Sequence, residues 1–205
     1  MRQTILTRRA ALMGVLTLPA GCGAASALSR AGAQRTTYDL SPAPGPASGP
    51  RSSRSLLVAE PEATAVLDSD RIAVKPDALS VAYLPDGRWS DRLPLVLQSL
   101  LVRSIAGTGR AGYVGAAGQG PVPDRALLGR IDAFNLRRLD DASFEMRVDV
   151  ALTVVDDASQ RVVATRNFAG SAPVADDRAE SAARAAQAVL DGLLPEAGDW
   201  VLRRL

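Results

Sequence analysis

The stretch from residue 144 to 154 most constrains the fold, because its apolar and polar residues alternate. The apolar members are Phe144, Met146, Val148, Val150, Leu152 and Val154. A period of two predicts a strand with one buried face and one partly solvent-exposed face. Turn residues follow at 156–159, and further strands are predicted over 126–136 and 161–170. The three strands together predict an antiparallel meander.

Two amphipathic helices are predicted beside this meander. The first has leucines at helical spacing from Leu93, an N-cap at Ser90-Asp91 and an end at Gly107. The second is expected to be capped by Asp176-Asp177, to end before Pro195 and to leave Trp200 in a short tail. The sequence therefore predicts an α+β fold, with a mixed or antiparallel sheet, a C-terminal three-strand meander and two main helices packed on the sheet.

Shorter strands are predicted before the first helix. They cover residues 38–40, 55–60, 71–75 and 79–84, and the last is expected to end in the turn Pro85-Asp86-Gly87. The glycine-rich stretch 112–123 lacks the lysine and hydroxyl pair of a phosphate-binding loop, so we expect a plain loop there.

The N-terminal segment has the features of a bacterial export signal. Three arginines precede an apolar run over residues 10–20, which is too short to span a bilayer. Small residues then lead to Cys22, the single cysteine, so we expect cleavage before Cys22 and lipid attachment to it. Pro19 departs from the usual lipobox, so an ordinary signal peptide with no lipid attachment is the alternative interpretation. The pair Arg8-Arg9 is compatible with both Sec and Tat export. The expected organisation is a signal peptide over 1–21, a flexible tether over 22–36 and a domain over 37–205.

Composition excludes several classes of site. The chain has no histidine, so His-dependent catalysis and His-ligated zinc are excluded. Basic and acidic residues number 24 and 22, and three of the basic ones lie in the leader. The remaining chain is close to neutral and gives no support for a nucleic-acid partner. We expect no cofactor, no metal and no catalytic residue.

The ordered set of motifs resembles the ABC-type transport auxiliary lipoprotein family, the PqiC/YmbA-like lipoproteins. The matching positions are Tyr38, Leu40, Tyr83 and the stretches 71–74, 88–89, 95–101, 131–134, 147–156 and 161–168. The resemblance covers roughly residues 38–194, and no single motif in it is specific.

The resemblance implies a non-enzymatic protein that works beside an MCE-domain partner in an ABC system moving lipids between membranes. It implies a lipid anchor at Cys22, and Gly23 after it favours the periplasmic face of the outer membrane over the inner membrane. A homo-oligomer is also compatible with it. The alternative is a periplasmic lipoprotein that binds lipid itself or assists outer-membrane assembly, which an apolar cavity between helix and sheet would favour. A buried acidic cluster in a cleft would instead favour an enzyme.

Three groups of residues are candidates for contact or chemistry. Tyr83, Leu84 and Trp89 flank one turn and could meet a partner or lipid, or Trp89 could simply cover the first helix. Glu145 and Asp149, with Arg147 between them, could do acid–base work or form a solvated strand face. Arg137-Arg138 opposite Asp140-Asp141 could be a solvated turn or a polar docking rim.

Overall fold

A computed structural model describes residues 35–118 and 120–205 of the chain. In this part the chain forms one mixed sheet of nine strands and two helices. The strands are β1 Thr36–Tyr38, β2 Ser55–Val58, β3 Glu62–Ala63, β4 Arg71–Lys75, β5 Ala82–Trp89, β6 Tyr113–Ala116, β7 Arg125–Arg138, β8 Phe144–Asp156 and β9 Arg161–Val174. The helices are α1 Leu93–Ala106 and α2 Ala179–Leu202.

Strand β7 is the centre of the sheet. Along one edge it pairs antiparallel with β8, which pairs antiparallel with β9, so the predicted meander is confirmed. Along its other edge β7 pairs in succession with β2, β3 and β4, all in parallel. The hairpin of β4 and β5 then leads to β1, and β2 leads to β6. The predicted α+β class is also confirmed.

Both helices cover the same face of the sheet. The apolar set of β8 points towards them and is buried except for the half-buried Phe144, and Met146, Val148 and Val154 are fully enclosed. Helix α1 contributes its leucine stripe and α2 its alanine stripe to one continuous core. Two edge-to-face aromatic pairs lie in this core, Trp89 with Phe134 and Phe168 with Trp200. The opposite side of β7, β8 and β9 is called the outer face below.

The predicted caps of both helices are wrong. Helix α1 begins after Arg92 and has no side-chain cap, because the Asp91 carboxylate accepts the Arg92 N–H at 2.7 Å instead. Helix α2 begins after Arg178, and the Asp86 carboxylate accepts the N–H of Ala179 at 3.1 Å. The cap of α2 therefore comes from a strand that is distant in sequence.

Helix α2 does not end at Pro195 but continues to Leu202. A proline inside a helix removes one hydrogen bond and costs about 3 kcal/mol. The last turns bury Trp200, Val201 and Leu202 in the core. Burial of a large apolar side chain is worth about 1.5–3 kcal/mol each, which offsets the proline. Trp200 is thus part of a helix and not of a tail.

Three strand predictions also need correction. β1 ends at Tyr38, earlier than expected, and β2 ends at Val58. β5 runs through Pro85-Asp86-Gly87 to Trp89, so the expected turn is inside a strand. The expected loop over 112–123 contains β6, which forms because its backbone pairs in parallel with β2. Strand β4 has the predicted bounds.

Candidate functional site

A polar groove of about 1160 Å³ lies on the outer face of the sheet. It is lined by Lys75, Pro76, Asp77, Ala78, Asp132, Ala133, Asn135, Arg137, Arg138, Leu139, Asp140, Asp141, Arg147 and Asp149. We call this set the polar groove. It brings together two of the three candidate groups from the sequence except for Glu145, which lies beside the groove, because the β7–β8 register sets Asn135 opposite Arg147 and Arg137 opposite Glu145.

The charged residues of β8 are paired across the outer face. Arg137 Nε donates to Glu145 Oε2 at 2.7 Å. Arg147 Nη2 donates to Asp149 Oδ2 at 3.1 Å, and Asn167 Nδ2 donates to Asp149 Oδ1 at 2.7 Å. Asp149 is 9 % exposed, and the hydrogen bonds from Arg147 and Asn167 hold its carboxylate in place. The groove floor is therefore an ordered set of charges.

The electrostatics of Glu145 fit an ion pair better than an acid–base group. The Ser171 hydroxyl, followed by the Arg137 guanidinium, holds the pKa of the Glu145 carboxyl below its usual range. A general acid working near neutral pH needs a raised carboxyl pKa. Among the groove acids Asp149 is the buried one, and it contacts a guanidinium and an amide. The buried acidic cluster that would favour an enzyme is not formed by these residues.

The turn between β7 and β8 forms the rim of the groove. Asp141 accepts the Ser143 hydroxyl at 2.6 Å and the Ser143 N–H at 3.0 Å, and these bonds lower the pKa of Asp141. Ala142 has a φ of 66°, and its N–H bonds the Leu139 carbonyl at 2.9 Å. Arg137 pairs with Glu145 on the neighbouring strand and not with Asp140 or Asp141. These bonds define the shape of the rim, and Arg138 is exposed on it.

Several groove residues could not be identified as members of this site from the sequence alone. Lys75 lies at the end of β4, in register with Arg137, and is exposed. Asn135 is 5 % exposed, and its Nδ2 makes one long bond of 3.3 Å to the Leu136 carbonyl. Asp132 is held by Arg130 at 2.7 Å. Only the parallel pairing of β4 with β7 brings Lys75 into this group, and nothing in the sequence predicts that pairing.

The third candidate group lies away from the groove. Trp89 is 1 % exposed and Leu84 is 5 % exposed, so both belong to the core and do not present the exposed surface that a partner contact assumed. Tyr83 is half-buried, with Arg71 stacked on its ring at 4.1 Å and its hydroxyl donating to the Val66 carbonyl at 3.3 Å. Trp89 is buried because β5 continues past the expected turn and carries it under the helices.

The remaining candidate, Cys22, lies outside the described residues, as do Pro19 and the whole predicted leader.

One apolar pocket lies in the interior between helices and sheet. The space there, between Leu97 and Leu101 of α1, Phe168 of β9 and Leu190 of α2, amounts to about 20 Å³. That is close to the room one water needs, whereas small-molecule pockets run to roughly 300–1,000 Å³. This interior has no room for an acyl chain.

No helix within 35–118 and 120–205 is long and apolar enough to span a membrane. The same ranges hold no group of three or more acidic or cysteine side chains placed to bind a metal ion.

Comparison with solved structures supports the fold. A protein from Xanthomonas campestris is 23 % identical, with a TM-score of 0.73 over 83 % of this chain and 96 % of its own. A second structure, described as an uncharacterized protein, is 15 % identical, with a TM-score of 0.60 over 83 % of this chain and 97 % of its own. No curated protein matches the chain. At these identities the likeness shows the fold alone.

Comparison with protein families gives a match over residues 38–196, to the family described as the ABC-type transport auxiliary lipoprotein component. A lipoprotein with an auxiliary role in ABC-type transport belongs to the membrane-associated part of the cell envelope. The match spans well over half of the chain and agrees with the stretch whose motifs resemble this family. The chain therefore belongs to the ABC-type transport auxiliary lipoprotein family.

Proposed function

We propose that this protein is a lipid-anchored periplasmic accessory component of an ABC/MCE-type system for lipid transport between membranes. Its task is to dock an MCE-domain protein at the membrane, and the polar groove is the docking surface. The observation that carries the proposal is the groove itself, an open concavity with fixed charges on the face opposite the helices.

The groove has properties that suit recognition of a protein partner. Its floor charges are already paired and ordered, so docking requires little rearrangement of the side chains. Lys75 and Arg138 are exposed at its edge, and neither has an ion-pair partner within 4 Å in the described part of the chain. Complementary charges around an interface contribute mainly specificity and the rate of association. We therefore assign partner selection to these two cations.

The small volume between helices and sheet favours a docking role over a role in carrying lipid. A protein that shields an acyl chain needs an apolar cavity, and the space between helices and sheet is about 20 Å³. The lipid would then pass through the partner assembly, and this chain would hold that assembly in place. The same reasoning weakens the alternative of a lipoprotein that itself binds lipid.

Acylation of Cys22 supplies the anchor in this proposal. Each buried acyl methylene contributes about 0.8 kcal/mol, so the several chains of a bacterial lipoprotein give stable attachment. The residue after Cys22 is Gly23, which favours the periplasmic face of the outer membrane over the inner membrane. The domain would then stand at one membrane while the transporter reaches it from the other.

The proposed docking surface and the proposed lipid anchor are tested with separate variants. Crosslinking in cells followed by purification should recover an MCE-domain protein with the wild-type chain. The double variant Lys75→Glu/Arg138→Glu should lower this recovery roughly tenfold, which corresponds to about 1.4 kcal/mol. The matched control is Arg161→Glu, an equally exposed charge reversal at the other end of the sheet, and it should leave recovery unchanged.

Each part can fail separately. Failure to recover any MCE-domain protein, under conditions that preserve other envelope complexes, contradicts the docking role. Equal loss in the groove variant and the Arg161 control contradicts the assignment of the groove. Cys22→Ala should abolish labelling with a fatty-acid tracer while the domain stays folded, and unchanged labelling contradicts the anchor.

A further inference from the structure

Strand β9 is the outermost strand on one side of the sheet, and it pairs with β8 along one of its two edges. It has 14 residues, which span about 45 Å in an extended strand. Within the described part of the chain, no strand pairs with its other edge. We call this the open edge of β9. An unpaired row of backbone N–H and C=O groups is a template on which a further strand can form.

The ends of the open edge are protected against pairing, but its centre is not. The register with β8 shifts near the start of β9, and Pro173 lies near its end. Between them, residues 167–172 carry no charge. Arg166 is drawn onto the helix side, where it bonds Glu196 and stacks over the Phe168 ring at 4.8 Å. Because proteins ordinarily block an exposed edge with charges, prolines or bulges, the unblocked centre indicates that another strand pairs there.

The strand that matches this edge in length is β9 of a second copy. On the opposite side of the sheet, the outermost strands β1 and β6 have only 3 and 4 residues. Head-to-tail pairing of β9 with either of them would leave most of β9 unpaired. Pairing of β9 with itself about a twofold axis uses the same patch on both copies and is antiparallel. This arrangement can cover the whole unblocked centre.

The charges at the two ends of β9 are complementary under this symmetry. Arg161 begins the strand, and Asp177 follows its last residue, Val174. Both charged side chains are exposed, and within the described ranges neither has an ion-pair partner within 4 Å. Antiparallel pairing brings Arg161 of each copy to the end of the strand where Asp177 of the other copy follows. Opposite charges therefore meet at both ends of the interface, which favours this orientation.

Two exposed valines lie on the same strand, beside Arg161. Val162 is 64 % exposed and Val163 is 44 % exposed. Scattered apolar residues on a protein surface are ordinary. These two are adjacent in a strand whose edge is open, so a second copy seated on that edge would reduce their contact with water.

We propose that two copies of this chain associate through the open edges of β9, antiparallel and about a twofold axis, so that their sheets become continuous. The inference goes beyond the proposed function and does not rest on it. The polar groove is lined by residues of β4, β7, β8 and their connections, and none of its residues lies in β9. Each copy therefore keeps its own groove, and loss of the dimer, as in Arg161→Glu, leaves partner docking unchanged.

The first experiment is disulfide crosslinking in cells that express the full chain. Single cysteines replace Thr165, Asn167, Ala169 or Ser171, which alternate with the buried Phe168 and so lie on the outer face. In a twofold pair only a residue near the axis faces its own counterpart. A step of two residues from the axis adds about 13 Å to that separation, beyond the reach of a disulfide. The control Val122→Cys replaces an 87 % exposed residue outside β9.

The expected result is covalent dimer at one position or at two neighbouring positions of the four, with a decrease on either side. The control and the chain without an introduced cysteine should give no such band, and the latter also reports any disulfide made by Cys22. Equal crosslinking at all four positions overturns the inference, as does none at any of them. Crosslinking of β9 to a different protein without homodimer also overturns it, because the open edge then belongs to that partner.

The second experiment measures the dimer dissociation constant of the purified full chain in detergent by analytical ultracentrifugation. Arg161→Glu and Asp177→Arg should each weaken the dimer by about tenfold, and the double variant should recover most of the loss, because the charges are exchanged. Lys75→Glu in the polar groove is the matched control and should leave the constant unchanged. Thermal unfolding checks that each variant is folded. A monomeric wild type, or equal weakening by the control, overturns the inference and leaves the proposed docking role intact.

Discussion

At the scale of single residues, Arg110 connects three separate parts of the chain. Its side chain is fully buried; Nη1 donates to Asp199 Oδ1 at 2.8 Å and Nε donates to the Pro50 carbonyl at 3.1 Å. Gly49 passes so close that a Cβ there would lie 2.8 Å from Arg110 Nη2, and its φ is +126°. The contacts of Arg110 with Pro50 and Asp199 therefore hold the segment before β2 against the C-terminal end of α2.

Replacement of Asp199 by Asn should destabilise the protein by about 2 kcal/mol. Loss of one partner of a fully buried ion pair costs roughly 3–5 kcal/mol, and the value is lower here because Asp199 is partly exposed. The measurement is urea unfolding of the two proteins. Asp191→Asn is the matched control on the same helix: Asp191 is exposed and bonds only Gln187, so its replacement should change stability by less than about 0.5 kcal/mol.

The loss of unfolding free energy caused by Asp199→Asn should become smaller as the pH falls. Arg110 is the main cause that lowers the pKa of the Asp199 carboxyl below its ordinary value of 3.8. A lowered folded-state pKa contributes stability that is present above the ordinary value and is lost as pH falls through the folded-state value. Wild type and variant should therefore converge in acid, below about pH 4. A difference that stays constant through this range contradicts the ion pair as the cause.

At the scale of elements, the Pro85-Asp86-Gly87 segment does two things that its turn-like composition does not suggest. Within β5, the Asp86 carboxylate caps α2 at Ala179 N–H. Gly87 lets the first residue of α2 approach, since a Cβ there would lie 2.4 Å from the Ala179 Cβ and 2.7 Å from the Tyr38 ring. The segment is thus the docking point of α2 on the sheet.

Gly87→Ala should destabilise the fold by about 1–3 kcal/mol, because the added methyl overpacks a closed contact. Thermal unfolding measures the effect. Gly192→Ala within α2 is the control, since a Cβ at Gly192 meets no atom within 4 Å. That substitution should stabilise the helix by about 0.5–1 kcal/mol. A neutral Gly87→Ala would show that α2 does not sit on β5 in this way.

At the scale of the whole molecule, the two faces of the sheet differ in what covers them. One face is closed by α1 and α2 over a continuous core, in which the apolar pocket beside Leu97 and Leu190 measures about 20 Å³. The outer face carries the polar groove, with paired charges across β7 and β8. In this structure the outer face is open to present a surface, and the pocket between helices and sheet is too small for an acyl chain.

The small apolar pocket between helices and sheet predicts that purified protein carries no bound phospholipid besides the acyl chains proposed for Cys22. Under the proposed function, native mass spectrometry of protein gently extracted from membranes should show the acylated chain alone, or with the proposed protein partner. The Cys22→Ala form provides the comparison, because it lacks covalent lipid and leaves only bound lipid to detect. A phospholipid bound in stoichiometric amount to that form would contradict the docking role and favour lipid carriage.

Part of the candidate site could be predicted from sequence, and part could not. The alternation over β8 places Glu145, Arg147 and Asp149 on one face, and the meander brings the β7–β8 turn beside them. The buried state of Trp89 could not be predicted, because a Pro-Asp-Gly sequence ordinarily stops a strand. Lys75 could not be found either, because a parallel pairing between β4 and β7 has no local signature.

The sequence by itself determined the features with a local physical cause. These are the meander, set by a period of two and short turns, the two helices, set by their apolar stripes, and the α+β class that follows. Tertiary structure alone decided the pairing of β7 with β2, β3 and β4, the cap of α2 by Asp86 and the continuation of α2 through Pro195. Each of these depends on contacts between residues far apart in the chain, where the free energy of burial and pairing outweighs the local preference.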